Sequence, residues 1–109
     1  MNFKDYQKKA LKTAIYPNSG NNIVYPTIGL VGEAGEVANK VKKIIRDHEG
    51  KITPEIKDDI SHELGDVLWY IAAISAELKI PLNKVAVENI KKLSSRSKRN
   101  TVKGSGDNR

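Results

Sequence analysis

The 109-residue chain contains no cysteine. Disulfide staples and thiolate metal sites are therefore excluded, and a reducing, cytoplasmic setting is expected. Aromatic residues are few, with one Trp, one Phe and four Tyr. The basic ending "SSRSKRNTVKGSGDNR" contains none, so it lacks the interleaved stacking platforms with which proteins hold single-stranded nucleic acid. No apolar run approaches the roughly 20 residues of a membrane span, and "MNFKDYQKK" has no apolar signal core. The expectation is a soluble protein with no membrane partner. Strand patterns are nearly absent as well. A chain of this length has room for one domain with a modest core.

What is present reads as four helices. Asn2 can cap a first helix carrying Phe3, Tyr6, Ala10, Leu11, Ala14 and Ile15 at helical spacing until Pro17 stops it. "PNSGNN" is a turn-rich connection, and Pro26 is placed to open a second helix with Leu30, Val31, Ala34, Val37, Ala38, Val41, Ile44 and Ile45 toward the core, ending near "DHEG". Thr53 and Pro54 signal the start of a third, with Ile56, Ile60, Leu64, Val67, Leu68, Ile71 and Ile74 on one stripe, and "KIPL" ends it. A fourth runs from about Leu82 through Leu93, after which the chain turns polar, basic and glycine-containing. Residues 1–96 read as the domain and 97–109 as a flexible tail. The formal net charge is +6, but seven of the 19 Lys and Arg residues follow position 90, so the basic excess is partly a property of that tail.

The acidic residues are more specific. Glu36 lies 11 residues before the turn at 47–54 and Glu63 nine after it, so a short antiparallel hairpin brings them to similar heights. Glu33 and Asp66 each lie about one turn further out. At about 100° per residue, Glu33 and Lys40 share one flank of the second helix with Glu36 further round, while Asp59, Glu63, Asp66 and Tyr70 share a flank of the third. Acids three apart are common on solvated helix faces, but matched heights across a hairpin make a pocket edge. Four converging carboxylates repel unless a cation neutralises them, and magnesium suits hard oxygen ligands and substrate phosphates, with manganese as a substitute. Gly29, Gly32 and Gly35 would let another backbone or a ligand come close. Lys40 and Tyr70 are candidates for substrate contact. Lys40 equally fits ordinary helix solubilisation, and Tyr70 and Trp69 fit core or interface aromatics. His62 in "HELGD" lacks the second histidine of a zinc helix and reads as a rim residue.

"GLVGEAGEVANKVKK", "ELGDVLWYIAAIS" and "NIKKLSSR" together resemble the MazG-like family of all-α nucleoside triphosphate pyrophosphohydrolases, and the resemblance covers nearly the whole chain. It implies a four-helix bundle, a homodimer or homotetramer, and magnesium-dependent cleavage of a (d)NTP between the α- and β-phosphates. It makes Glu33, Glu36, Glu63 and Asp66 the metal ligands and Asn89, Lys92 and Arg96 the phosphate-binding element, whose spacing places all three on one helix face. Glu36 is the expected base, with Glu63 also catalytic. The fuller family motif has two adjacent glutamates where this chain has Gly32 and Glu33. Glu36 and Trp69 lie off their helices' core stripes, which suits a pocket completed by a second subunit. The tail, with Lys98, Arg99, Lys103 and Arg109, is placed to fold as a lid over bound phosphates. The competing class is a non-enzymatic helical nucleic-acid-binding or regulatory dimer, which the short tail and its Asp107 disfavour.

Overall fold

The computed structural model describes residues 1–109. It has four helices and no strand: α1 (Phe3–Leu11), α2 (Val24–Asp47), α3 (Pro54–Glu77) and α4 (Leu82–Lys98). No helix is long and apolar enough to cross a membrane. Asn2 caps α1 by accepting from the Asp5 N–H at 2.8 Å. Thr53 caps α3 by accepting from the Ile56 N–H at 3.2 Å, with Pro54 in the first turn where its missing N–H costs nothing. Pro26 falls inside the first turn of α2 and is fully buried.

Two helix ends differ from expectation, each for a local reason. α1 stops at Leu11 and leaves Ile15 91% exposed. The Ala10 carbonyl, which a longer helix would bond to the Ala14 N–H, accepts the Thr13 N–H at 3.0 Å, the Thr13 hydroxyl at 2.7 Å and the Trp69 indole N–H at 3.3 Å. α4 runs on past Leu93 to Lys98. It closes where Asn100 turns left-handed (φ 58) and Thr101 N–H reaches back to the Arg96 carbonyl at 2.8 Å, a Schellman ending in which Asn tolerates the reversed backbone. Lys92 and Arg96 thus sit one turn apart on a continuous helix.

α2 and α3 form the expected antiparallel pair, α1 packs on α3 and α4, and α2 touches neither α1 nor α4. Within one chain the helices therefore do not close into a bundle. The radius of gyration is 16.7 Å, against about 13 Å for a compact domain of this length. The core is small, centred on Ala10, Ala72 and Leu82 with Tyr6, Trp69 and Ile71 packed against it.

α2 is apolar on two sides, and only one side meets α3. Leu30, Glu33, Val37, Lys40 and Ile44 form the covered face, while Val31, Val41 and Ile45, expected in the core, are 69%, 42% and 71% exposed. Val24 and Ile28 extend that open stripe. On α3, Leu64 is likewise exposed, and on α4 so are Val85, Ile90 and Leu93. For α2 the cause is geometric: a helix lying against a single neighbour covers one stripe.

Candidate active site

Glu33 belongs to the face of α2 that packs on α3, which is why a carboxylate stands among apolar residues there. Across the helix pair it meets Glu63 and Asp66, and the three offer carboxylate oxygens all within 4.8 Å of one another. Burial, then a hydrogen bond with Glu63 and the charges of Asp66, Glu63 and Glu36, hold the Glu33 carboxyl above its ordinary value. The one cation facing this group is Lys40, whose Nζ lies 3.8 Å from Glu63 Oε1, too far for a good hydrogen bond and too little charge to balance three acids. Oxygens on opposite sides of a magnesium ion stand about 4 Å apart, so small side-chain rotations would let the trio share one ion. Manganese, of similar ligand preference, suits the same donors.

Glu36 lies outside the trio. It is exposed, about 60° round the helix from Glu33, and its charge is felt at Glu33 without its oxygens joining the group. Lys40 continues into a neighbouring cavity of about 230 Å³ with Lys43, His48 and Asp59. His62 is on the surface, 3.9 Å from Asp58.

Beside the trio opens a cavity of about 320 Å³ lined by Thr13, Glu33, Asp66, Trp69 and Tyr70. Trp69 is fixed in its wall: the indole N–H donates to Thr13 Oγ1 at 2.8 Å, and the Tyr70 ring stands edge-on to it at 5.0 Å. Tyr16 meets the far side of Trp69 at 6.4 Å and stacks on Tyr25 at 4.8 Å. Tyr16 is itself held by Glu77, which accepts its hydroxyl and the N–H groups of Gly20 at 2.8 Å and Asn22 at 3.0 Å. Burial and then this bond push the Tyr16 hydroxyl up to about 12, while the Tyr16 hydroxyl and then the Gly20 N–H hold Glu77 below its ordinary value. Thr13, Tyr16, Tyr25 and Glu77 carried no signal in the sequence, since Glu77 lies more than 50 residues from every group it binds. Of the three glycines expected to admit a close neighbour, only Gly29 does, and the neighbour is Tyr70; Gly32 and Gly35 face open space.

Asn89, Lys92 and Arg96 stand apart from the trio, on a helix that does not touch α2. Asn89 and Lys92 line an open cavity of about 430 Å³ with Val85, Glu88 and Asp107. The tail folds back here. Asp107 Oδ1 accepts from Lys92 Nζ at 2.7 Å and Arg96 at 3.1 Å, and its carbonyl accepts from Arg96 at 2.5 Å. Lys92, then Arg96, hold the Asp107 carboxyl below its ordinary value, and the Arg96 side chain is only 5% exposed. Arg99 donates to the Arg109 carbonyl, and Arg109 to the carbonyls of Thr101, Gly106 and Val102, so the two tail arginines fold the tail on itself.

The structure therefore brings Glu33, Glu63, Asp66, Lys40 and Tyr70 together and leaves Glu36, Asn89, Lys92 and Arg96 outside. Residues 27–101, spanning most of α2 and all of α3 and α4, match the model of the MazG nucleotide pyrophosphohydrolase domain. The chain is 52% identical over 109 residues to the Gene 37 protein of Mycobacterium phage L5, covering 95% of this chain and 96% of that one. No solved structure gives a significant match.

Proposed function

Because the chain belongs to the MazG nucleotide pyrophosphohydrolase family, we propose that it hydrolyses nucleoside triphosphates between the α- and β-phosphates. Water attacks the α-phosphorus, the bridging P–O bond breaks, and a nucleoside monophosphate and pyrophosphate leave. The observation that carries this reading is the trio of carboxylates, which would hold a divalent cation between α2 and α3. When bound, magnesium supplies neutralisation of the phosphate charge and orientation for in-line attack. Glu33, Glu63 and Asp66 are the ligands, and Glu36, one turn along α2 and open to solvent, joins them or takes the proton of the attacking water. Lys40 balances charge beside Glu63, and Tyr70 offers a hydroxyl to a phosphate oxygen.

Lys92 and Arg96 are the donors for the distal phosphates, Arg96 with the better fork. They reach the trio by assembly: a homodimer or homotetramer buries the open stripe of Val24, Ile28, Val31 and Ile45 and completes the pocket from a second subunit. Arg96 cannot meet a phosphate while Asp107 covers it. The tail is therefore a competitor that substrate displaces, and after displacement a lid. Pyrophosphate release from a panel of canonical and damaged (d)NTPs, with and without magnesium, tests the activity. No release from any nucleotide with magnesium present would overturn it.

A further inference from the structure

Gly29 and Tyr70 form a rung directly below the rung made by Glu33 and Asp66, since Gly29 precedes Glu33 by four residues and Tyr70 follows Asp66 by four. The Tyr70 ring fills the space a side chain at position 29 would take: a methyl group there would overlap Cε1 and Cζ and stand 2.7 Å from Cδ1. No other helical glycine has a neighbour within 4 Å of that point. The ring is also braced edge-on by Trp69 at 5.0 Å and lines the cavity shared with Glu33 and Asp66. Its hydroxyl differs from that of Tyr16, the other tyrosine on Trp69, which is consumed by Glu77. Only burial and the charges of Tyr25, Glu33 and Asp66 act on the Tyr70 phenol, with no protein hydrogen bond.

We infer that Gly29 is a positioning residue: the notch it leaves in α2 fixes the Tyr70 ring, so that the Tyr70 hydroxyl donates to an oxygen of the phosphate chain bound beside the trio. The role of Tyr70 toward phosphate rests on the proposed function. The socket itself rests on packing. A helix with alanine at position 29 would be better formed, yet it would drive the phenol out of the wall.

Trp69 is the single tryptophan, and its contact with the ring makes its emission a local reporter. The experiment titrates magnesium alone, and then inorganic pyrophosphate with magnesium, into wild type, Gly29→Ala, Tyr70→Phe and the double variant, following Trp69 fluorescence. Gly29→Ala should change the Trp69 emission of the free protein and leave magnesium affinity within about twofold, because the trio is untouched. Each single variant should weaken pyrophosphate about tenfold, the size of one hydrogen bond to a charged group, and the double variant no more than either. Additive losses, unchanged Trp69 emission in Gly29→Ala, or wild type that binds no pyrophosphate would overturn the inference. Should Gly29→Ala fail to fold, Gly29→Ala/Tyr70→Ala must restore folding, since it removes the overlapping ring; failure to do so refutes the socket. A wild type that binds magnesium pyrophosphate yet hydrolyses no nucleotide would defeat the proposed reaction while leaving the socket standing.

Discussion

The acidic trio and the basic pair on α4 are opposite solutions to the same electrostatic problem. Lys92 and Arg96 are answered from within the chain, by a carboxylate hydrogen-bonded to both. Glu33, Glu63 and Asp66 face one lysine at 3.8 Å and one another. Like charges placed together with a single counter-charge are costly unless a ligand supplies the balance, which is the ground for the proposed cation site. The basic pair is already balanced by the chain's own Asp107. The first should respond to addition of a ligand, the second to removal of a contact.

The largest expected effect is on the open side. Glu63→Gln keeps the helix and the size of the side chain but removes the charge between Glu33 and Lys40. It should lower pyrophosphate release by about a hundredfold or more, with helical circular dichroism unchanged. Magnesium should raise the melting temperature of wild type and not of this variant. Full turnover by Glu63→Gln, or by wild type stripped of metal, would dismiss the cation site. Next comes assembly: Val31→Asp on the uncovered stripe should give monomers by sedimentation and lose most activity, while its helical content stays intact. A wild type that sediments as a monomer at micromolar concentration would break the two-subunit account.

On the occupied side the effect is smaller and opposite in sign. Asp107→Asn weakens the clasp, so KM for nucleotide should fall severalfold with little change in kcat or melting temperature. Truncation after Ser97 should act the same way. A higher KM in either would show that closure over the substrate outweighs competition with it.

The smallest effect is a pH signature that contrasts Glu33 with Glu77. Glu33 titrates above the ordinary glutamate value in the folded state, so the folded form binds the extra proton. Its contribution to stability is fully present below the ordinary value and is lost as pH rises through the folded one. Glu77 titrates below the ordinary value, so its contribution is present above that value and is lost as pH falls through the folded one. Urea denaturation without metal, across pH 3 to 7, should show Glu33→Gln flattening the upper part of the profile and Glu77→Gln the lower part. Interchanged effects would invert the assignment. Magnesium should abolish the Glu33 component alone, because an ion takes the place of the proton.

Much of the trio was legible because its information is local. Residues three apart share a helix flank, and a hairpin of two long helices has few registers, so Glu33, Glu63 and Asp66 could be set opposite each other by counting. Glu36 stands about 60° round α2 from Glu33, the offset that flank counting gives it, and its oxygens lie outside the group. The faces of α2 were less legible: Val31 and Val37 are equally apolar, and only the packing shows that α3 takes Val37. Counting also could not see that Asp107 would return to Arg96, or that Glu77 would gather Tyr16, Gly20 and Asn22.

Helical class, the starts of α1, α3 and α4 and the pairing of α2 with α3 were determined by the sequence alone, because capping, proline placement and 3.6-residue periodicity act over a few neighbouring residues; α2 begins at Val24, two residues before the Pro26 expected to open it, and has no side-chain cap. Tertiary structure alone decided where α1 stops, which face of α2 stays open, that Tyr70 settles over Gly29, and that the chain's own Asp107 covers Lys92 and Arg96. Those outcomes depend on which distant groups compete for one carbonyl, one notch or one guanidinium, and that competition is resolved only when the helices meet.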